Sequence, residues 1–572
     1  MSRFQGVLHN PALAIALVAM FAGFSMRLAD LGGPSLSHPE IYIPGIDLPA
    51  GISEPPPRHG FLETLDWHFN EEPHPVGYYM AMRVWTAIAG TSPTALRLPG
   101  AFAGSLTILA VFFLARALYG NLAAALSALM IAASGFHIFW SQIARMYAPG
   151  ALFCVVSTYF LMRLMRDERP SEWAGWGYGL AIVLSLQTTE MCWLILAVQM
   201  LFVALNGDAA MKARDIVPSP MRWRVPRAAY VQGLALIASM PALAHSLYQA
   251  RGEAAPAAGA EFLRNFLSFG FLFYVDADAP HSAHPGAVII GAAFAAGLAL
   301  CAIGFFRPPK ARQTSLVATA PVWPLYFLAF ASSALIFWFS TFATKRADLL
   351  SLMAPLPFFM ILAPLAAAFF RPLLRSLSPP ADRLASYIAA RTTIVSWIVA
   401  APVVLGLILF GRAGLFAPRA FVVFVPFVII LAAAGLAALA SKRALFAAAA
   451  LGVAAIFADG LVINASRTPS PRDYKATAAA LSAILSPGDY VLTHYRDWAD
   501  TPLFYYFDRS HVIAAYGEDP LDSQKRVWTI RWKDLEREAL DKRMSAALRN
   551  FNPVEKIETP DAEFTLYERD PN

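Results

Sequence analysis

The chain has 572 residues, 57% of them hydrophobic and only 15% charged, with a net charge of +6 and a mean hydropathy of +0.50. Soluble globular domains carry about 25% charged residues, so composition excludes that class and points to a polytopic α-helical membrane protein. A pI near 9.1 is no sign of nucleic-acid binding here, because the basic residues gather on alternate loops.

Apolar stretches of about 20 residues match the length a helix needs to cross the bilayer core. They fall at 11–31, 98–118, 122–140, 148–165, 174–188, 190–206, 229–248, 286–306, 321–340, 350–370, 394–411, 421–440 and 445–463, which makes thirteen crossings. With a cytoplasmic N-terminus, Lys and Arg concentrate in 1–10, 116–121, 163–173, 207–228, 307–320, 371–393 and 441–443. The opposite-side segment 28–77 carries Arg58 alone against Asp30, Glu40, Asp47, Glu54, Glu63, Asp66, Glu71 and Glu72. That asymmetry is the positive-inside pattern and predicts an external C-terminal tail. The first crossing has no small-residue cleavage site and reads as uncleaved. Cys154, Cys192 and Cys301 all fall within predicted crossings, so neither a disulfide frame nor a thiolate metal site is expected.

Three regions lie outside the membrane in this reading. Loop 32–77 contains FLETLDWHFN (61–70), with the pattern of a short amphipathic helix, and 78–92 reads as a helix along the interface. Loop 249–285 is the second region. The third is 464–572, where a helical stretch (473–485), the turn SPGD, the strand-like YVLTH, VIAAY and VWTIRW, and a terminal strand pair suggest a small α/β domain. The division is 1–463 as the transmembrane body and 464–572 as an extracytoplasmic domain. The tail shows neither a phosphate loop nor a nucleophile elbow and is assigned no chemistry.

Polar groups cluster at the outer edges of the crossings. SLSHPEIY (35–42) and NEEPHPVGYY (70–79) bring Glu40, Glu71, Glu72 and His74 to the same face, with Tyr78 beside them. A carboxylate in a partly dry cleft suits general-base work, because lost water raises its pKa. Ordinary solvated loop acids are the alternative. HIFWSQIARMYAPG (137–150) sets Arg145 and Tyr147 at that face, where an interfacial aromatic belt with a snorkelling Arg is the competing reading. Lys345, Arg346 and Arg419 stand outside against the positive-inside trend. A lipid phosphate is their expected counter-charge, with bulk anionic headgroups as the alternative.

In order and spacing, SLSHPE (35–40), EPHPVGYY (72–79), LRLPGAF (96–102) and FHIFWSQIARMYA (136–148) resemble the N-terminal half of GT-C class membrane glycosyltransferases of the family 39 type. The similar branch is that of protein O-mannosyltransferases and the lipid A aminoarabinose transferase. APRAFVVFVPFVIILAAAGL (417–436) and DYKATAAALSAILSPGDYVL (473–492) resemble later parts of the same proteins. The resemblance implies a GT-C fold in a bacterial cytoplasmic membrane and transfer, with inversion, of a sugar from a polyprenyl-phosphate donor to a glycan, lipid or protein acceptor. It implies Glu40 as catalytic base, with Glu71, Glu72, His74, Tyr78, Arg145 and Tyr147 contacting substrate and Lys345, Arg346 and Arg419 contacting the lipid phosphate. Pro39, Val76 and Ile143 depart from the family pattern, Pro39 replacing the first residue of an acidic pair. With that pair depleted, no metal and no cofactor is expected. A transporter or flippase of lipid-linked sugars, or a non-catalytic binder of them, is the alternative. Glu190, set between two crossings, favours transport, whereas the lack of a repeat and the one-sided charges favour the enzyme.

Overall fold

The structure, a computed structural model, describes residues 11–47, 60–70, 74–166, 172–210, 216–218, 224–249, 289, 292, 418–441, 443–465, 472–493, 501–507, 512–515, 521, 524–533 and 544–570. The helices are α1 (Pro11–Leu28), α2 (Phe61–Asn70), α3 (Val76–Ala89), α4 (Pro93–Tyr119), α5 (Asn121–Ala133), α6 (Gly135–Ser141), α7 (Tyr147–Arg166), α8 (Glu172–Leu186), α9 (Cys192–Ala210), α10 (Arg227–Gln249), α11 (Val425–Ala438), α12 (Arg443–Ala465), α13 (Tyr474–Ile484) and α14 (Leu503–Tyr506). The strands are β1 (Ile216–Pro218), β2 (Arg224–Pro226), β3 (Tyr490–Thr493), β4 (Val512–Ala515), β5 (Arg526–Trp532), β6 (Phe551–Glu558) and β7 (Ala562–Arg569).

Among the described residues, α1, α4, residues 147–164 of α7 and residues 443–462 of α12 are long and apolar enough to cross a membrane. The expected crossing 122–140 is instead two helices, α5 and α6, bent by 59°. Ser134 explains the break: its hydroxyl accepts from His137 N–H at 3.3 Å and so starts a new helix in mid-run. The carbonyls of Ile131 and Ala132, which end α5, accept from the buried Arg27 guanidinium at 3.3 and 3.4 Å. Expected crossings at 321–340, 350–370 and 394–411 lie outside the described residues, as does 286–306 but for residues 289 and 292.

Helix α4 forms the centre of the bundle and packs against α1, α5 and α7. It starts sharply because Ser92 caps it, accepting from Ala95 N–H at 3.3 Å, and Pro93 occupies its first turn. Pro99 inside α4 has no N–H, which deprives the Ala95 carbonyl four residues back of its helical donor. The Trp85 indole replaces that donor at 2.7 Å and ties α3 to α4. Gly100 lets the end of α6 approach: a Cβ there would lie 2.8 Å from the Ser141 carbonyl oxygen.

The C-terminal region holds a five-stranded sheet in the order β4-β3-β5-β7-β6. β3 runs parallel to β4 and β5, while β5, β7 and β6 alternate in direction. Helix α13, capped by Asp473, buries Tyr474, Ala478 and Leu481 against Val491, Trp528, Ile530 and Phe564 of the sheet. The buried Asp489 carboxylate joins β3 to β5, accepting from Arg526 Nε at 2.7 Å and Trp528 Nε1 at 3.0 Å. This region contacts the loop after α1 and the turn between α3 and α4. Ser35 Oγ donates to Asp473 Oδ1 at 2.9 Å, Tyr506 accepts from Leu36 N–H at 2.7 Å, and Tyr505 donates to the Thr91 carbonyl at 2.8 Å.

Candidate functional site

Ser37, His38, Pro39 and Glu40 open a single 3-10 turn, His38–Tyr42, in which the Glu40 carboxylate reaches back to its own start. Oε2 accepts from both the amide and the hydroxyl of Ser37 at 2.9 Å. Arg97, in the second turn of α4, grips the same carboxylate in a fork, Nε to Oε1 at 2.8 Å and Nη2 to Oε2 at 2.9 Å. Ala144 N–H, between α6 and α7, completes Oε1 at 2.9 Å. The remaining Arg97 donors meet the carbonyls of Leu31, Pro34 and Ser35 at 2.9–3.0 Å, so all five guanidinium N–H groups are used. Glu40 is fully buried and Arg97 is 1% exposed.

This setting gives Glu40, expected from the sequence as catalytic base, a structural task in the ligand-free chain. Burial alone would raise its pKa, but the charge and hydrogen bonds of Arg97 and the amides of Ala144 and Ser37 hold it below the usual carboxylate range. A base needs a lone pair directed at substrate, and each Glu40 oxygen already accepts at least two hydrogen bonds. Through these bonds it clasps the first loop to α4 and to the α6–α7 link.

Around this clasp the first turn of α3 brings together several of the expected residues. Arg145 donates through Nη1 to Tyr79 Oη at 2.9 Å and to the Pro39 carbonyl at 3.3 Å. Tyr78 packs edge-on to Tyr79 and feels the charges of Arg145 and Glu40 as well as Tyr147. Tyr147 is buried against the Trp140 ring. Tyr78 and Tyr79 are therefore buried within the protein. His38 is partly buried beside Arg145, and burial followed by that cation pushes its pKa down to about 4.

The other side of the same turn faces the link between α8 and α9. Tyr78 N–H donates to the Gln187 carbonyl at 3.0 Å. His74 Nδ1 stands 3.2 and 3.4 Å from the two carboxylate oxygens of Glu190. Glu190 thus belongs to the link between α8 and α9 and pairs with the residue that precedes α3 by two positions. Burial would raise its pKa, but the electrostatic interaction and hydrogen bond with the neighbouring His74 ring lower it overall. Arg419 is exposed on a 3-10 turn, Pro418–Val423, that packs against α6 and α7. Glu71, Glu72, Lys345 and Arg346 lie outside the described residues.

Arg97 and Glu190 carry no site role in the sequence motifs, yet both pair with residues of this face. In the sequence LRLPG stands just before the crossing expected at 98–118; the helix begins at Pro93, which sets Arg97 one turn inside it, where it needs a counter-charge. The triplet Thr188-Thr189-Glu190 is the polar break between two apolar runs, and a break at that register falls on the same face as loop 32–77.

Comparison with known proteins agrees with the motifs. Residues 73–219 match the family model of dolichyl-phosphate-mannose-protein mannosyltransferases. The GT-C resemblance is borne out. The matched stretch contains His74, Tyr78, Arg97, Arg145, Tyr147 and Glu190. Among solved structures, ArnT from Cupriavidus metallidurans bound to undecaprenyl phosphate is 14% identical, with 97% of each chain covered and a TM-score of 0.39. The oligosaccharyltransferase AglB from Archaeoglobus fulgidus, in complex with an inhibitory peptide and a dolichol-phosphate, is 13% identical, with 98% of this chain and 74% of that chain covered and a TM-score of 0.46. No curated protein sequence matches the chain significantly.

Proposed function

We propose that the chain is an inverting glycosyltransferase that moves a sugar from a polyprenyl-phosphate donor to an acceptor at the outer face of a bacterial cytoplasmic membrane. The observation that carries this reading is the family match over 73–219, because that stretch supplies the turn where His74, Tyr78, Arg145 and Glu190 converge. In this reading the N-terminus is cytoplasmic and the sheet region 464–572 is periplasmic, seated on the external loop through Ser35 and Leu36. Arg145, next to Tyr79, would steady the phosphate that leaves, with Arg419, Lys345 and Arg346 contacting the lipid headgroup. Arginine suits that task because its fork matches phosphate oxygens. Glu71, Glu72, Tyr78 and Tyr147 would line the donor and acceptor path. Phosphate departs without a proton from an acid, so one proton acceptor is enough for the reaction.

Purified protein in lipid nanodiscs would be given undecaprenyl-phosphate sugars carrying mannose, glucose or aminoarabinose, each radiolabelled in the sugar. Release of undecaprenyl phosphate, with the label moving to a water-soluble or lipid acceptor, is the expected result. Movement of intact donor across the bilayer without cleavage would replace this reading with transport.

A further inference from the structure

With Glu40 closed off, the proposed reaction still needs a proton acceptor at the same face. We propose that His74, oriented by Glu190, takes the proton from an acceptor hydroxyl; this deepens the glycosyltransferase reading and rests on it. Pro75 follows His74 directly, and the turn is pinned by the bond from Tyr78 N–H to the Gln187 carbonyl, so the imidazole is held from both sides. Both Glu190 oxygens face Nδ1, at 3.2 and 3.4 Å, and Thr189 Oγ1 supports the second of them at 3.4 Å. An ionised carboxylate only accepts hydrogen bonds, so Nδ1 must carry the ring proton and Nε2 is left as the basic nitrogen. The side chains of His74 and Glu190 are 22% and 27% exposed, open enough for an acceptor to reach and dry enough for the pairing to matter.

The neighbouring His38 is a weaker candidate. Its Nε2 already faces Tyr42 Oη at 3.2 Å, and the Arg145 cation opposes its protonation. Glu40 has no lone pair to spare. His74 combines an orienting carboxylate with partial access to solvent, the arrangement expected of a general base with a positioning partner.

In the step, the acceptor O–H proton passes to His74 Nε2 while the acceptor oxygen attacks the anomeric carbon from the face opposite the phosphate. The bond from that carbon to the phosphate oxygen breaks, and its electron pair leaves with the polyprenyl phosphate. The imidazolium is stabilised by Glu190 and then gives its proton to water. The acceptor class is accordingly a hydroxyl, as on a sugar or a Ser or Thr side chain. A phosphate acceptor is already ionised and needs no base.

The test uses the full chain labelled with 15N-histidine in nanodiscs, His74 being assigned by its loss in His74→Gln. The wild-type ring should be protonated at Nδ1 and bare at Nε2, and Glu190→Gln should redistribute the proton between the two nitrogens. A wild-type ring protonated at Nε2 overturns the proposal. In parallel, transfer from undecaprenyl-phosphate [14C]mannose to methyl α-mannoside is followed. His74→Gln should lower kcat about 100-fold or more with an unchanged KM for donor, and Glu190→Gln about tenfold. Wild-type kcat in His74→Gln, at an unchanged melting temperature, also overturns it. If wild-type protein cleaves no member of the donor panel, the transferase reading fails, and the nitrogen resonances still decide the pairing.

Discussion

Replacing Glu40 by Gln separates a clasp from a catalytic base, because the two roles predict opposite pairs of outcomes. The carboxylate accepts five hydrogen bonds, two from Arg97, two from Ser37 and one from Ala144. A Gln amide offers one acceptor oxygen, and its NH2 must face either the Arg97 and Ala144 donors or the Arg97 and Ser37 donors. Arg97 stays charged and buried with half of its fork opposed. Removing one partner of a buried pair costs about 3–5 kcal/mol. The loss should therefore appear as reduced thermal stability of the detergent-solubilised protein, with activity falling only in proportion to unfolding. A double-mutant cycle completes the argument. Arg97→Met alone and Glu40→Leu alone each leave the other charge unpaired and should cost a similar amount, whereas Glu40→Leu with Arg97→Met should recover much of it, giving a coupling of about 3 kcal/mol. A Glu40→Gln protein that melts like wild type but has lost turnover would refute the clasp and restore Glu40 as base.

Three further outcomes are expected. Trp85→Phe keeps the ring but removes the donor that replaces the missing Pro99 N–H; an unsatisfied Ala95 carbonyl should cost about 1–3 kcal/mol, measured by thermal unfolding. Tyr506→Phe removes the acceptor for Leu36 N–H and should raise protease cleavage in the first loop, with a stability loss of about 1 kcal/mol. The folded pKa of His38 is depressed to about 4 from 6.5. In that window the unfolded chain binds more protons, so the His38 contribution is full above about 6.5 and is lost as pH falls toward 4. His38→Gln should flatten the stability-pH curve there, and an unchanged curve would contradict the burial assigned to His38.

Helices were readable because hydropathy and local start signals act over short distances. Ser92-Pro93 begins α4 and Gly120 ends it, with a φ of 89° that suits glycine. The tail's alternation of helix and strand was readable for the same reason. What stayed hidden depends on encounters across the chain. Glu40 and Arg97 are 57 positions apart, and no local pattern announces that one satisfies the other. Hydropathy likewise averages over Ser134, whose capping hydroxyl turns one apolar run into two helices. A carboxylate between two apolar runs, as Glu190 is, looks intramembrane until the link and its partner, 116 positions earlier, are seen together.

The bonds from Ser35 to Asp473 and from Leu36 to Tyr506 join positions 438 and 470 residues apart. During synthesis the first loop emerges long before its partner leaves the ribosome, so its polar groups must wait in water through the insertion of every later helix. A chain stopped short of residue 473 would lack the partners of Ser35 and Leu36, so both positions would keep their polar groups in water.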